Sequence, residues 1–214
     1  MKPLIVFDWD GTLMDSKERI TACMLAAIAE VGAPPRSEAD IHNIIGLGLQ
    51  ESMQTLFPDS PALWTPVIDA YRDHFLDEER AASEMFAGVE ELLRALHARG
   101  HLLAVATSKA RRGLDRVLAQ TGLGEYFHAT RCADEARSKP HPAMLQDILA
   151  RLSRPVEDAV MVGDTEYDLR MAHSIGMASI GVTYGVHARE RLLACGPRHC
   201  VDDVAQLAAL LLEG

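Results

Sequence analysis

A doubly wound, parallel-sheet (Rossmann-like) α/β core with an inserted all-helical cap domain is the architecture this sequence predicts. Three observations carry the prediction. Short apolar runs alternate with helix-like segments over most of the 214 residues. One long stretch, from about Ser16 to Arg80, keeps helical periodicity and contains no strand-like run. Polar turns bearing Asp, Thr or Lys interrupt the apolar runs where strands would end.

Leu4-Ile5-Val6-Phe7 is the first strand: continuously apolar rather than alternating, as suits a strand covered on both faces. The segments 102–106, 159–162 and 178–182 have the same character. Between them 89–99, 113–121, 143–152 and 167–175 read as helices, and the βαβα rhythm is that of a parallel sheet flanked by helices. Within the insertion, Ile20, Cys23, Met24, Ala27, Ile28 and Val31 fall on one helical face, and Gly32-Ala33-Pro34-Pro35 ends that helix. Asp15 and Ser16 suit its N-terminal cap. A second helix starts after Gly46-Leu47-Gly48 and stops before Pro58, and a third covers about 62–79. The core is therefore expected to comprise 1–14 and 82–214 and the cap 15–81, with hinges at Met14-Asp15-Ser16 and 81–87.

Composition narrows the function. Hydrophobic residues make up 48% and charged residues 24%, ordinary globular usage, and the formal net charge is −10. So acidic a chain repels phosphate backbones, which argues against nucleic acid as a partner, although a local site can still hold a small anion. No run reaches the roughly 20 apolar residues of a membrane helix, and the N-terminal run is too short for a signal peptide. Cys23, Cys132, Cys195 and Cys200 have no CxxC spacing, which with the chain's size predicts reduced cysteines in a cytoplasmic protein.

The chemistry concentrates at strand ends, where ligands bind in open α/β sheets. Asp8 and Asp10 leave the first strand two residues apart, and Gly11 permits a sharp change of direction. Thr107-Ser108-Lys109 follows the second core strand, Ser138-Lys139-Pro140-His141-Pro142 precedes a long helix, and Gly163-Asp164-Thr165-Glu166-Tyr167-Asp168 follows the third strand. In a doubly wound sheet Asp8, Asp10, Asp164 and Asp168 can meet Lys139 at one edge, leaving a net negative charge that a semi-buried cleft does not hold unpaired. A hard divalent cation, Mg²⁺, satisfies such oxygen donors, and the absence of a His or Cys cluster argues against zinc. A calcium loop starting at Asp8 would need glycine where Leu13 stands. Gly46-Leu47-Gly48 lacks the third glycine of a dinucleotide fingerprint, Glu51 standing there, and reads as a cap loop facing substrate. Neither a P-loop nor a GxSxG motif is present.

These four pieces, in this order and with this insertion, resemble the haloacid dehalogenase superfamily, specifically its phosphatase branch and the phosphoglycolate-phosphatase-like subgroup with a small helical cap. The likeness extends to Gly176-Met177 and to Gly181-Val182-Thr183-Tyr184-Gly185. It implies a Mg²⁺-dependent phosphatase that hydrolyses a small phosphorylated metabolite, a phosphoglycolate-like phosphomonoester. Asp8 would be the nucleophile that forms an aspartyl-phosphate. Asp10 would be the general acid and base, its backbone carbonyl also a metal ligand. Thr107, the Ser108 amide and Lys139 would hold the phosphoryl group. Asp8 and Asp164 would bind the metal, and Asp168 would support the metal or its waters. Asp10 favours phosphoryl transfer over dehalogenation, whose enzymes lack an acid there. Ala87 stands where relatives often carry proline, a departure that touches hinge stiffness. His141 is read as structural.

A sugar phosphomutase of the β-phosphoglucomutase type shares every core motif, but no additional cap acid–base residue is evident. A pyrophosphatase is a further alternative. Receiver-type signalling domains also gather acids, Thr and Lys around Mg²⁺, but they lack the insertion and the Asp8–Asp10 spacing. The loop 46–50 offers no Arg or Lys for a second anionic group, which weakens 2-phosphoglycolate as substrate and keeps nucleotide monophosphates and sugar phosphates in view.

Overall fold

The computed structural model describes residues 3–76 and 83–213. Its first strand, β1 (Leu4–Phe7), is wholly buried. Ile5, Phe7 and Trp9 point into one hydrophobic cluster, whereas Leu4 and Val6 point into another. This two-residue alternation puts Asp8 and Asp10 on the opposite side of the chain from Trp9. A two-residue strand β2 (Met14–Asp15) follows, then α1 (Lys17–Val31), α2 (Glu38–Ile44), α3 (Leu49–Leu56) and α4 (Trp64–Leu76). Strand β3 (Glu84–Met85) leads back to the core and pairs antiparallel with β2, Met14 opposite Met85. Both expected hinges thus meet in one short ribbon, although 81–82 lie outside the described residues, as do 77–79 of the third expected helix.

The core continues with α5 (Val89–Ala98), β4 (Leu102–Ala106), α6 (Arg111–Thr121), β5 (Ala129–Arg131), α7 (Ala143–Leu152) and β6 (Ala159–Gly163). It closes with α8 (Glu166–His173), β7 (Ala178–Val182), α9 (Arg189–Leu193), β8 (His199–Val201) and α10 (Val204–Glu213). The six core strands form a parallel sheet in the order β5-β4-β1-β6-β7-β8, with β1 flanked by β4 and β6. One face is covered by Leu92, Leu93 and Leu96 of α5 and by Val204 and Leu207 of α10. The other is covered by Met144, Leu145 and Ile148 of α7 and by Met171 and Ala172 of α8. A third cluster, including Met24, Ile28, Ile41, Met53 and Val67, holds the inserted helices together.

Two edge strands, β5 and β8, escape sequence reading because they are short and carry polar residues, as sheet edges commonly do. Helix α2 was also not expected. Its signal is a capping box in which Ser37 accepts from the Asp40 amide and the Asp40 carboxylate accepts from the Ser37 amide. Helix α6 starts at Arg111 rather than at Gly113. No helix among the described residues is long and apolar enough to cross a membrane.

Candidate active site

Asp8 continues β1 past its last paired side chain, and its amide donates to Val162 O at 2.9 Å, so the sheet itself fixes this residue. Lys139 is fully buried; its Nζ lies 2.7 Å from Asp8 Oδ1 and 2.6 Å from Asp168 Oδ1. Asp168 sits at the third position of α8. Its other oxygen accepts from the Thr165 amide at 3.1 Å and from Thr165 Oγ1 at 2.7 Å. One carboxylate therefore caps a helix and holds the lysine.

Asp164, between β6 and α8, is equally buried. Thr12 Oγ1 donates to its Oδ1 at 3.0 Å and the Val186 amide to its Oδ2 at 2.9 Å. Gly11, at φ +84°, passes so near this carboxylate that a Cβ there would overlap it. Oxygens of Asp8, Asp164 and Asp168 lie within 4.8 Å of one another. Burial pushes the Asp8 pKa up to about 7, aided by the charges of Asp168 and Asp10 and opposed by Lys139. Burial likewise drives Asp164 well above the usual carboxylate range, with Asp8 and Asp168 adding to it. Burial alone would lower the Lys139 pKa, but Asp168 and Asp8 outweigh it and raise the value.

Asp10 stands apart from this cluster. Its Oδ1 accepts from Ser16 Oγ at 2.8 Å and its Oδ2 pairs with Lys109 Nζ at 2.9 Å. Ser16 occupies the N-cap position of α1 but makes no side-chain cap bond, and Asp15 lies exposed in the β2 ribbon. The expected capping by this pair gives way to a contact that orients Asp10. Lys109 also corrects the charge expected at the sheet edge: four carboxylates face two ammonium groups, not one. The sequence assigns Lys109 no role, because its partner Asp10 is 99 residues away and the pairing leaves no local pattern.

Thr107 is buried, its Oγ1 accepting from the Lys109 amide at 3.1 Å. Ser108 Oγ donates to Gly46 O at 2.6 Å, so this side chain reaches the inserted helices. The Gly48 amide donates to Ser138 Oγ at 2.7 Å, and Tyr167 Oη donates to Asn43 O at 2.6 Å. The loop around Gly46 therefore rests on the core. A cavity of about 400 Å³ lies between them, with Asp8, Asp10, Thr107, Ser108 and Lys109 on its core side. His141 Nδ1 accepts from the Ala143 amide at 3.2 Å at the start of α7, a structural contact.

The donor set fits a hard divalent cation. Three buried carboxylates converge and one ammonium serves two of them, so that among the described residues the candidate ligands here are carboxylate oxygens. A parallel α/β sheet with clustered acids at its strand ends, roofed by inserted helices, defines a class of hydrolase. The family described as haloacid dehalogenase-like hydrolase matches residues 5–182, and the chain belongs to it. It is 36% identical to "probable phosphatase IndB" of Dickeya dadantii, over 97% of this chain and 92% of that protein. It is 31% identical to a phosphoglycolate phosphatase of Vibrio vulnificus, over 98% and 96% of the two chains. The crystal structure of a "predicted phosphatase" from Clostridium acetobutylicum superposes with a TM-score of 0.89 at 30% identity, covering 100% of both chains.

Proposed function

We propose that the protein is a Mg²⁺-dependent phosphatase that hydrolyses a small phosphorylated metabolite through an aspartyl-phosphate on Asp8. The observation that carries this reading is Lys139, buried between Asp168 and the Asp8 that lines the cavity. A cation fixed at the nucleophile lets a carboxylate approach an anionic phosphoryl group that it would otherwise repel. The phosphatase names of the relatives support it. Asp8, Asp164 and the Asp10 carbonyl would hold Mg²⁺, and Asp168 would steady the site from behind. Bound there, the ion neutralises buried carboxylate charge and that of the phosphoryl oxygens.

The chain's own groups account for the remaining chemistry. An Asp8 oxygen attacks phosphorus in line as the bond to the leaving alcohol breaks. Thr107 Oγ1, the Ser108 amide and Lys139 Nζ hold the phosphoryl oxygens. Asp10, turned by Ser16 and Lys109, gives its proton to the departing alkoxide and then takes one from the water that opens the acyl-phosphate. We assign residues 1–14 and 82–214 to the catalytic core and 15–81 to the cap, and place the reaction in the cytoplasm, a compartment that suits four free cysteines.

The test is phosphate release from a phosphomonoester panel by the Mg²⁺-loaded protein, with trapping of phospho-Asp8. Turnover that stops in Asp8→Asn, with the fold retained by circular dichroism, is the expected result. Inactivity across the panel refutes the reading.

A further inference from the structure

Resting on that reading, we infer that the substrate's leaving alcohol carries an apolar body, alkyl or aryl, with no second anionic group beside the phosphate. The cavity between cap and core is the basis. Opposite Asp8, Asp10 and Thr107 it is walled by Ile20 and Met24 of α1, by Ile44 and Leu47, and by Tyr71 and Phe75 of α4. Its volume of about 400 Å³ is of the size that encloses a whole small-molecule ligand, far more than a two-carbon tail requires.

Charge points the same way. Among the described residues the cap contributes one cation to this wall, Arg72, which is exposed and paired with Asp69 at 3.2 Å. On the core side, Lys109 is engaged by Asp10 and lies 4.9 Å from the centre of the Phe75 ring, while Arg112 is exposed at the start of α6. A carboxylate held among the Ile, Met and Leu side chains would lose its water there, which is costly, while Arg72 and Arg112 stand at exposed positions of the lining. An alkyl or aryl group in the same place gains by leaving water.

A homologous series separates this proposal from the chemistry beneath it. Ethyl, butyl and hexyl phosphate have leaving alcohols of similar acidity, so the phosphoryl step is constant and only the cavity contact changes. For the Mg²⁺-loaded wild-type enzyme, kcat/KM is expected to rise roughly fourfold per added methylene, with hexyl phosphate preferred to 2-phosphoglycolate. The half-buried Leu47 offers a check on location: Leu47→Gln should flatten the series. A flat series in an active enzyme, or a preference for 2-phosphoglycolate over hexyl phosphate, overturns the inference and leaves the phosphatase assignment standing. An undiminished slope in folded Leu47→Gln puts the chain outside this cavity and also overturns it. If none of these esters, nor 4-nitrophenyl phosphate, releases phosphate, the phosphatase reading itself fails and the inference falls with it.

Discussion

Lys139 Nζ lies 2.7 Å from Asp8 Oδ1, and the lysine side chain has no exposure to solvent. An ammonium in that position survives only because Asp168 faces it from the other side at 2.6 Å. Replacing it strands buried carboxylates without their cation. Lys139→Met is expected to cost about 3–5 kcal/mol of stability in metal-free buffer at pH 8, read as a lower urea midpoint at an unchanged slope, and to abolish phosphate release. Lys139→Arg should not rescue activity, because a planar guanidinium cannot occupy the place of a compact ammonium wedged between two carboxylates.

Asp8 titrates at about 7 in the folded metal-free protein because burial penalises its charge. In the unfolded chain an aspartate titrates near 4. Between those values the folded state binds the additional proton, so this group's contribution to stability is complete below about pH 4 and is lost as pH rises towards 7. His187 opposes the trend: its pKa is lowered to about 4, chiefly by burial, so its share of stability grows from pH 4 to about 6.5. Comparison with Asp8→Asn removes this carboxylate together with its upward push on Asp164. The variant should melt several degrees above wild type at pH 8 without metal and show little difference at pH 4.5. Mg²⁺ should raise the wild-type melting temperature more at pH 8 than at pH 5, since the cation binds the ionised site. Equal effects at both pH values would contradict the assignment of a metal to these carboxylates.

Asp10 is held at both oxygens, by Ser16 and by Lys109, before any substrate arrives. An acid–base group works only when its proton-bearing atom points at the leaving oxygen, and such groups contribute about 10²–10⁴-fold to rate. Asp10→Asn should therefore lower kcat by that factor. Lys109→Met and Ser16→Ala, each freeing one oxygen, should lower it by about tenfold and alter the pH–rate profile. An unchanged kcat and profile in both would mean that the two contacts merely pack the hinge.

The fold was legible in the sequence wherever burial is complete. β1, β4 and β6 are apolar on both faces, and the acids of the site follow β1 and β6 in sequence. Thr107 could be placed because its motif follows β4, and Lys139 because its motif precedes the long helix α7. The edge strands β5 and β8 were not legible, since a sheet edge does not demand an unbroken apolar run. Thr12 and the Val186 amide escaped notice for a different reason. They act on Asp164 through tertiary contacts spanning 152 and 22 residues, which leave no local pattern. Ser16 was misread because a serine before a helix usually caps it, and here a nearby carboxylate outcompetes the helix amides for its hydroxyl.

The loop from Asn43 to Gly48 closes the cavity through three hydrogen bonds to the core, from Tyr167 Oη, from Ser108 Oγ and to Ser138 Oγ. Gly46 adds a steric condition: its φ of +100° and the nearness of Thr165, 2.8 Å from a would-be Cβ, leave no room for a side chain. Each bond is worth about 1 kcal/mol net, equivalent to a roughly fivefold shift between docked and undocked loop. Tyr167→Phe and Ser138→Ala should each raise KM by about that factor and speed amide hydrogen exchange in 43–48, with exchange in β1 and β6 unchanged. Gly46→Ala should do more, because a strained backbone and a blocked contact both oppose docking. The three bonds serve one short segment, so the Tyr167→Phe/Ser138→Ala double variant should fall short of the sum of the single effects: once the loop has swung away, a second lost bond has nothing left to release.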